Sequence, residues 1–156
     1  MTVEWKGDEF RAAMRAAVAR GLNAVAIEAE GIARTKIQAA QVVRVENGLA
    51  IRGRSRLASS PGEYPRSQTG SLRNSLTTQS ATPQELSAAF GVFGGTRGVA
   101  RRVAGSGALG YPFYLERGTS RMRPRPWANR TINENRSRLQ RVFVQEAGRG
   151  IGGAVR

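Results

Sequence analysis

A chain of 156 residues with 25 Lys+Arg against 11 Asp+Glu carries a net charge of +14 and contains neither His nor Cys. The missing cysteines exclude a disulfide framework, a thiolate metal site and a cysteine nucleophile; the missing histidines remove the commonest general base and nearly all zinc sites. With 40% apolar residues the chain is too hydrophobic for a disordered polycation, and its length suits a single domain over 1–156. It reads as a protein that binds or builds, not an enzyme, with no cofactor and no metal.

Of the 25 cations, 23 are Arg, the lysines being Lys6 and Lys36. Arg forks onto carboxylates and phosphates and is weakly hydrated, which suits interfaces and nucleic acid. Residues 1–78 hold 12 cations against 7 acids, and residues 79–156 hold 13 against 4. The densest run is Arg97, Arg101, Arg102, Arg117, Arg121, Arg123 and Arg125, with Glu116 opposing it. Such a field favours a phosphate backbone or an acidic protein surface. The acidic start (Glu4, Asp8, Glu9) is unlike a signal peptide, and no window approaches the ~20 apolar residues of a membrane helix. The expected setting is the cytoplasm, or something assembled there, with no membrane partner.

In chain order, the first element is a long helix from about Asp8 to about Gln38. Asp8 and Glu9 suit its positive end, and Phe10, Met14, Val18, Leu22, Val25, Ala29, Ile32 and Ala33 recur as an apolar stripe. At 1.5 Å per residue it is roughly 45 Å long, with Gly21 and Gly31 inside it. Val42–Val45 and Leu49–Ile51, separated by Asn47-Gly48, predict a hairpin, because Asn and Gly both tolerate positive φ. Residues 53–69 are polar and rich in Pro, Gly, Ser and Arg, and read as a long loop. A short element starts at Ser71, and alternation over Glu85–Phe93 predicts a strand. A second, Gly-rich loop covers 94–110. A final helix runs from about Trp127 to Ala147, with Ile132, Leu139, Val142 and Phe143 as its apolar side, and the tail 148–156 is expected to fray. Trp5, Phe10, Trp127 and Phe143 read as core, leaving no base-stacking platform.

Gly105–Gly110 matches G-x-G-x-x-G, a pattern that counts when it opens a helix. Tyr111-Pro112 follows at once, and a proline there argues against a helix; in a chain with 19 glycines the match reads as chance. Glu28 and Glu30 point to different helix faces, and Glu116 is expected in a buried ion pair with an Arg.

Two segments are more particular. Thr69-Gly70-Ser71-Leu72-Arg73-Asn74-Ser75 is followed by Tyr111-Pro-Phe-Tyr114-Leu-Glu116-Arg-Gly118-Thr119 and then Met122-Arg-Pro124-Arg-Pro126-Trp127. In this order after a long amphipathic helix, they resemble the "gene product ten" group of neck and tail-completion components of tailed phages with long flexible tails. The resemblance covers roughly residues 3–146 and extends to the opening Glu4-Trp5-Lys6-Gly7-Asp8; Pro112 and Trp127 are departures from the commoner Ala and Phe.

The resemblance implies a structural virion protein at the head–tail joint or proximal tail, assembled in the host cytoplasm as a ring. A hexamer is the expected stoichiometry, closed by heterologous contacts. The protomer is expected to be α+β, with the N- and C-terminal helices packed on a small, mainly antiparallel sheet and with long basic or Gly-rich loops. Thr69, Gly70, Leu72, Ser75, Tyr114, Gly118, Thr119, Pro124 and Pro126 are the motif scaffold: the glycines for tight turns, the threonines for capping, and the prolines for an extended approach to the last helix. Arg54, Arg56, Tyr64, Arg97, Arg101, Arg102, Glu116, Arg117, Arg121, Arg123 and Arg125 are the expected subunit or ring contacts. The partners would be further copies of the chain, neighbouring connector and tail-tube proteins, and DNA in the channel. The alternative is a small basic nucleic-acid-binding protein.

Overall fold

Acids at one end and a lysine at the other match the dipole of helix α1, Gly7–Gln38, in the computed structural model, which describes residues 7–38, 44–46, 49–51, 59, 61–66, 70–93 and 110–152. Strands β1 (Arg44–Glu46) and β2 (Leu49–Ile51) pair antiparallel, Arg44 opposite Ile51 and Glu46 opposite Leu49, on either side of Asn47-Gly48. Helix α2 (Ser71–Ser75) leads into β3 (Thr77–Gln79), which pairs with β4 (Ala89–Gly91). Helices α3 (Gly110–Arg117), α4 (Ala128–Glu134) and α5 (Arg136–Gly152) complete the described chain. The architecture is α+β: a long N-terminal helix, a C-terminal helix and small two-stranded sheets.

The described residues fall into two compact units, neither contiguous in sequence. One draws on Met1–Glu30, Thr78–Phe90 and Asn135–Arg156, the other on Gly31–Thr77 and Gly91–Glu134. In the first, α1 and α5 run antiparallel: Glu28 pairs with Arg138 at 2.5 Å, Gly21 meets Phe143, and Arg20 lies over Gly150. A β-carbon at Gly21 would stand 2.8 Å from the Phe143 ring, so this crossing requires glycine. On the same helix, Asn23 locks the chain at Ala81 in both directions. Its amide donates to Ala81 O (3.0 Å) and its carbonyl accepts from Ala81 N–H (2.6 Å), as a neighbouring strand would. Arg15 donates to the carbonyls of Pro83 (2.7 Å) and Gln84 (3.2 Å).

Several sequence expectations shift. The buried side chains of α1 are Ala17, Ala19, Ala26, Ala29, Ala33 and Ile37, on more than one side of the helix, while Met14, Val18, Leu22, Val25 and Ile32 are half-buried and Phe10 is 55% exposed. Small side chains let neighbouring backbone come close, as at Gly21, so the large residues end up beside the contact. The strand expected over Glu85–Phe93 contracts to Ala89–Gly91. Thr82 N–H donates to Glu85 O and Glu85 N–H to Thr82 Oγ1, a turn that uses backbone groups a strand would pair. The C-terminal helix is interrupted at Asn135, whose carbonyl accepts from Leu139 N–H, and then continues past Ala147 to Gly152. Ile132 is 45% exposed, and Thr131 takes the buried position beside it.

Tyr111 and Pro112 lie inside α3, against the expectation that proline forbids a helix there. Pro112 occupies the first turn, where an amide has no helical acceptor and its absence costs nothing. Of the glycine pattern preceding it, Gly110 begins α3 with φ +62°, while residues 105–109, like residues 53–58, 60, 67–69 and 94–104 of the two expected loops, lie outside the described residues.

Candidate interaction surface

The motif segment 110–134 is built from α3, a tight turn, an extended arm and α4. Gly118 stops α3 with φ +78°, its N–H donating to Tyr114 O. A β-carbon there would stand 2.7 Å from Met122 O and 2.9 Å from Pro124 N, so backbone shape and contact both demand glycine. Thr119 closes the turn: its N–H donates to Met122 O (2.8 Å), and its hydroxyl accepts from the N–H groups of Arg121 (3.2 Å) and Met122 (3.0 Å). The arm then runs back along α3, with Arg125 N–H donating to Leu115 O at 2.7 Å.

Glu116 joins the two halves of the motif. Its carboxylate accepts from the backbone N–H of Trp127 (2.7 Å), Ala128 (3.0 Å) and Asn129 (3.0 Å), the unsatisfied amides at the start of α4. The expected Arg partner is replaced by a helix terminus, because Pro124 and Pro126 deliver that terminus beside α3 in extended form. Trp127, 4% exposed, closes the scaffold from within, its indole N–H donating to Pro112 O at 3.3 Å. Leu72, Ser75, Leu76 and Leu115 are buried in the same unit, and Arg34 donates to Leu76 O at 2.7 Å. Gly70 starts α2 with φ +78°, and Asn74 N–H donates to its carbonyl.

Tyr64 is held within the protomer. Its hydroxyl donates to Glu134 Oε2 (3.3 Å) and sits 3.4 Å from Thr131 Oγ1, while Arg130 lies 4.9 Å and Lys36 6.0 Å from the ring centre. Arg130 also binds Glu134 and the carbonyl of Gly62. Partial burial, chiefly, raises the Tyr64 phenol above its usual 10.0; the charge of Glu134 and the hydrogen bond to it push the same way, against Thr131 and Arg130. The Arg130 hydrogen bond holds exposed Glu134 below the usual 4.5 and keeps Arg130 more firmly protonated.

The expected contact residues thus divide. Arg125 is turned inward, its Nε donating to Ser59 O at 2.8 Å, and Tyr64 and Glu116 are engaged as above. Arg117, Arg121 and Arg123 are exposed, Arg117 lying 5.2 Å over the Phe113 ring. Tyr114 is half-buried, and Pro124 and Pro126 lie on the arm. Arg54, Arg56, Thr69, Arg97, Arg101 and Arg102 lie outside the described residues. Ser59, Arg130, Thr131 and Glu134 complete the cluster and were not singled out in sequence. The Arg130–Glu134 spacing of four is a legible helix pair, whereas Thr131, wholly buried with its hydroxyl on Trp127 O, carries no sequence signal.

Among the described residues no group of three or more Asp or Glu could hold a metal ion, and no helix is long and apolar enough to cross a membrane. Compared with protein-family models, curated proteins and solved structures, the chain matches none of them.

Proposed function

We propose that the chain is a structural virion protein of the neck or proximal tail of a long-tailed phage, forming a ring that joins or completes the tail at the head–tail interface. The observation that carries this reading is the use made of the motif that resembles such proteins. Glu116, Thr119 and Arg125 spend their polar atoms on backbone groups of the same segment or of Ser59, giving a stiff turn whose remaining arginines face outward. That arrangement suits a part that holds its shape while offering charge to neighbours. The partners are further copies of the chain and the adjoining connector and tail-tube proteins.

Two measurements test the reading. Light scattering and negative-stain microscopy of the purified chain, alone and with isolated tail tubes, should find a ring; a hexamer of 16.8 kDa protomers weighs about 100 kDa. Antibody against the chain should label one end of the tail or the neck of phage particles. A chain that stays monomeric in every mixture and is absent from particles would overturn the proposal and leave the small nucleic-acid-binding alternative.

A further inference from the structure

From Arg117 to Trp127 the sequence has four arginines and no acid. The nearest acid, Glu116, is committed to the amides of α4, and Arg125 to Ser59. Arg117, Arg121 and Arg123 remain exposed, and none of the three makes an ion pair among the described residues. They stand on a turn that Gly118 and Thr119 hold by five backbone and hydroxyl hydrogen bonds, so one short, fixed stretch of backbone carries three positive charges without internal neutralisation. Water and salt screen their mutual repulsion, and an arriving polyanion would exchange that screening for direct contacts.

An acidic protein surface fits less well than a polyanion. Protein interfaces centre on an apolar core depleted in charge, whereas here the apolar Pro112, Leu115 and Trp127 of the segment are buried and the turn's other exposed residues are Thr119, Ser120 and Pro124. The exposed aromatic of α3, Tyr111, is six positions before Arg117 and so about 120° away around the helix. We propose that the Arg117–Arg123 turn is a sequence-independent contact for the phosphate backbone of duplex nucleic acid. The net charge of +14 draws the duplex in at long range, and the turn supplies the close contacts. This property belongs to the surface whether the chain acts in a ring or alone.

The test is binding of the full chain to a fluorescein-labelled duplex of about 16 base pairs, by anisotropy from about 50 to 200 mM NaCl. Log affinity should fall linearly with log salt. The triple variant Arg117→Gln/Arg121→Gln/Arg123→Gln should flatten the slope by about 2.7, so that it loses about 40-fold less affinity over this range than the parent. A control with the same net charge, Arg11→Gln/Arg136→Gln/Arg141→Gln, removes exposed arginines of α1 and α5 and should change the slope by less than about one. If the first triple does not keep the parent's circular dichroism, Arg121→Gln and Arg123→Gln singly should each flatten the slope by about 0.9. Equal flattening by the two triples would overturn the proposal, as would no binding by the parent at the lowest salt. Tighter binding of poly-L-glutamate than of the duplex, lost in the first triple, would also overturn it and assign the turn to an acidic protein.

Discussion

Replacing Glu116 tests the scaffold where it is most exposed to error. Its carboxylate receives three amides, at 2.7, 3.0 and 3.0 Å, from the first residues of α4. Hydrogen bonds to a charged group are worth about 1.5–3 kcal/mol each, but water replaces the carboxylate at the exposed Asn129 and in part at Ala128. Loss of an N-cap costs about 1–2 kcal/mol. Adding the Trp127 amide, which lies at a buried residue, puts Glu116→Ala at about 2–4 kcal/mol of destabilisation. Glu116→Gln keeps one acceptor oxygen without the charge and should cost about half as much. Urea unfolding followed by circular dichroism and by Trp127 fluorescence, in a Trp5→Phe background, reads both. With a slope near 2 kcal/mol per molar urea, Glu116→Ala should lower the midpoint by about 1–2 M. A loss below about 0.5 kcal/mol for Glu116→Ala would refute the capping role. So would equal losses for Ala and Gln matched by Arg117→Gln, the signature of an ion pair.

Asn23→Ala removes both hydrogen bonds to Ala81 and should cost about 2–3 kcal/mol in a thermal melt. Asn23→Asp should cost more, since a carboxylate then faces the Ala81 carbonyl; a wild-type melting point for either would refute the two-way lock. The two glycines inside α1 should answer alanine with opposite signs. Gly31→Ala, with nothing within 4 Å, should add about 0.5–1 kcal/mol, whereas Gly21→Ala forces the Phe143 ring aside and should lose about 1–2 kcal/mol. Equal shifts in urea midpoint would show that Gly21 marks no close approach. Finally, Arg130 holds Glu134 below the usual 4.5 in the folded state, so the ionised carboxylate stabilises the fold above that value and the contribution fades as pH falls through the lower folded pKa. Glu134→Gln should therefore show a shallower loss of melting temperature from about pH 5 to about pH 3 than the parent; parallel curves would remove Glu134 from acid stability.

Local chemistry was readable without the fold. Paired acids and a 3.6-residue pattern determined α1 nearly to its ends, and Asn47-Gly48 determined the antiparallel pairing of β1 with β2. These signals act over one turn of helix or one tight turn, so neighbouring residues suffice to set them. Of the site, the glycine at 118, the threonine after it and the run of arginines were equally legible, because positive φ, capping and charge belong to the residues themselves.

Tertiary structure alone decided partnership. Glu116 had many arginines within reach in sequence, yet it serves amides 11 to 13 positions away because two prolines bring them there. Arg125 and Arg123 are two residues apart and alike in sequence, but one is bound to Ser59 O and the other faces outward. On α1 the periodic stripe marked the apolar side without saying which members would be covered. Phe143 meets the helix at Gly21, and the alanines at 17, 19, 26, 29 and 33 are buried while Met14, Val18 and Leu22 are only half-buried. Each outcome depends on which backbone arrives from a distant part of the chain, and no local pattern encodes that.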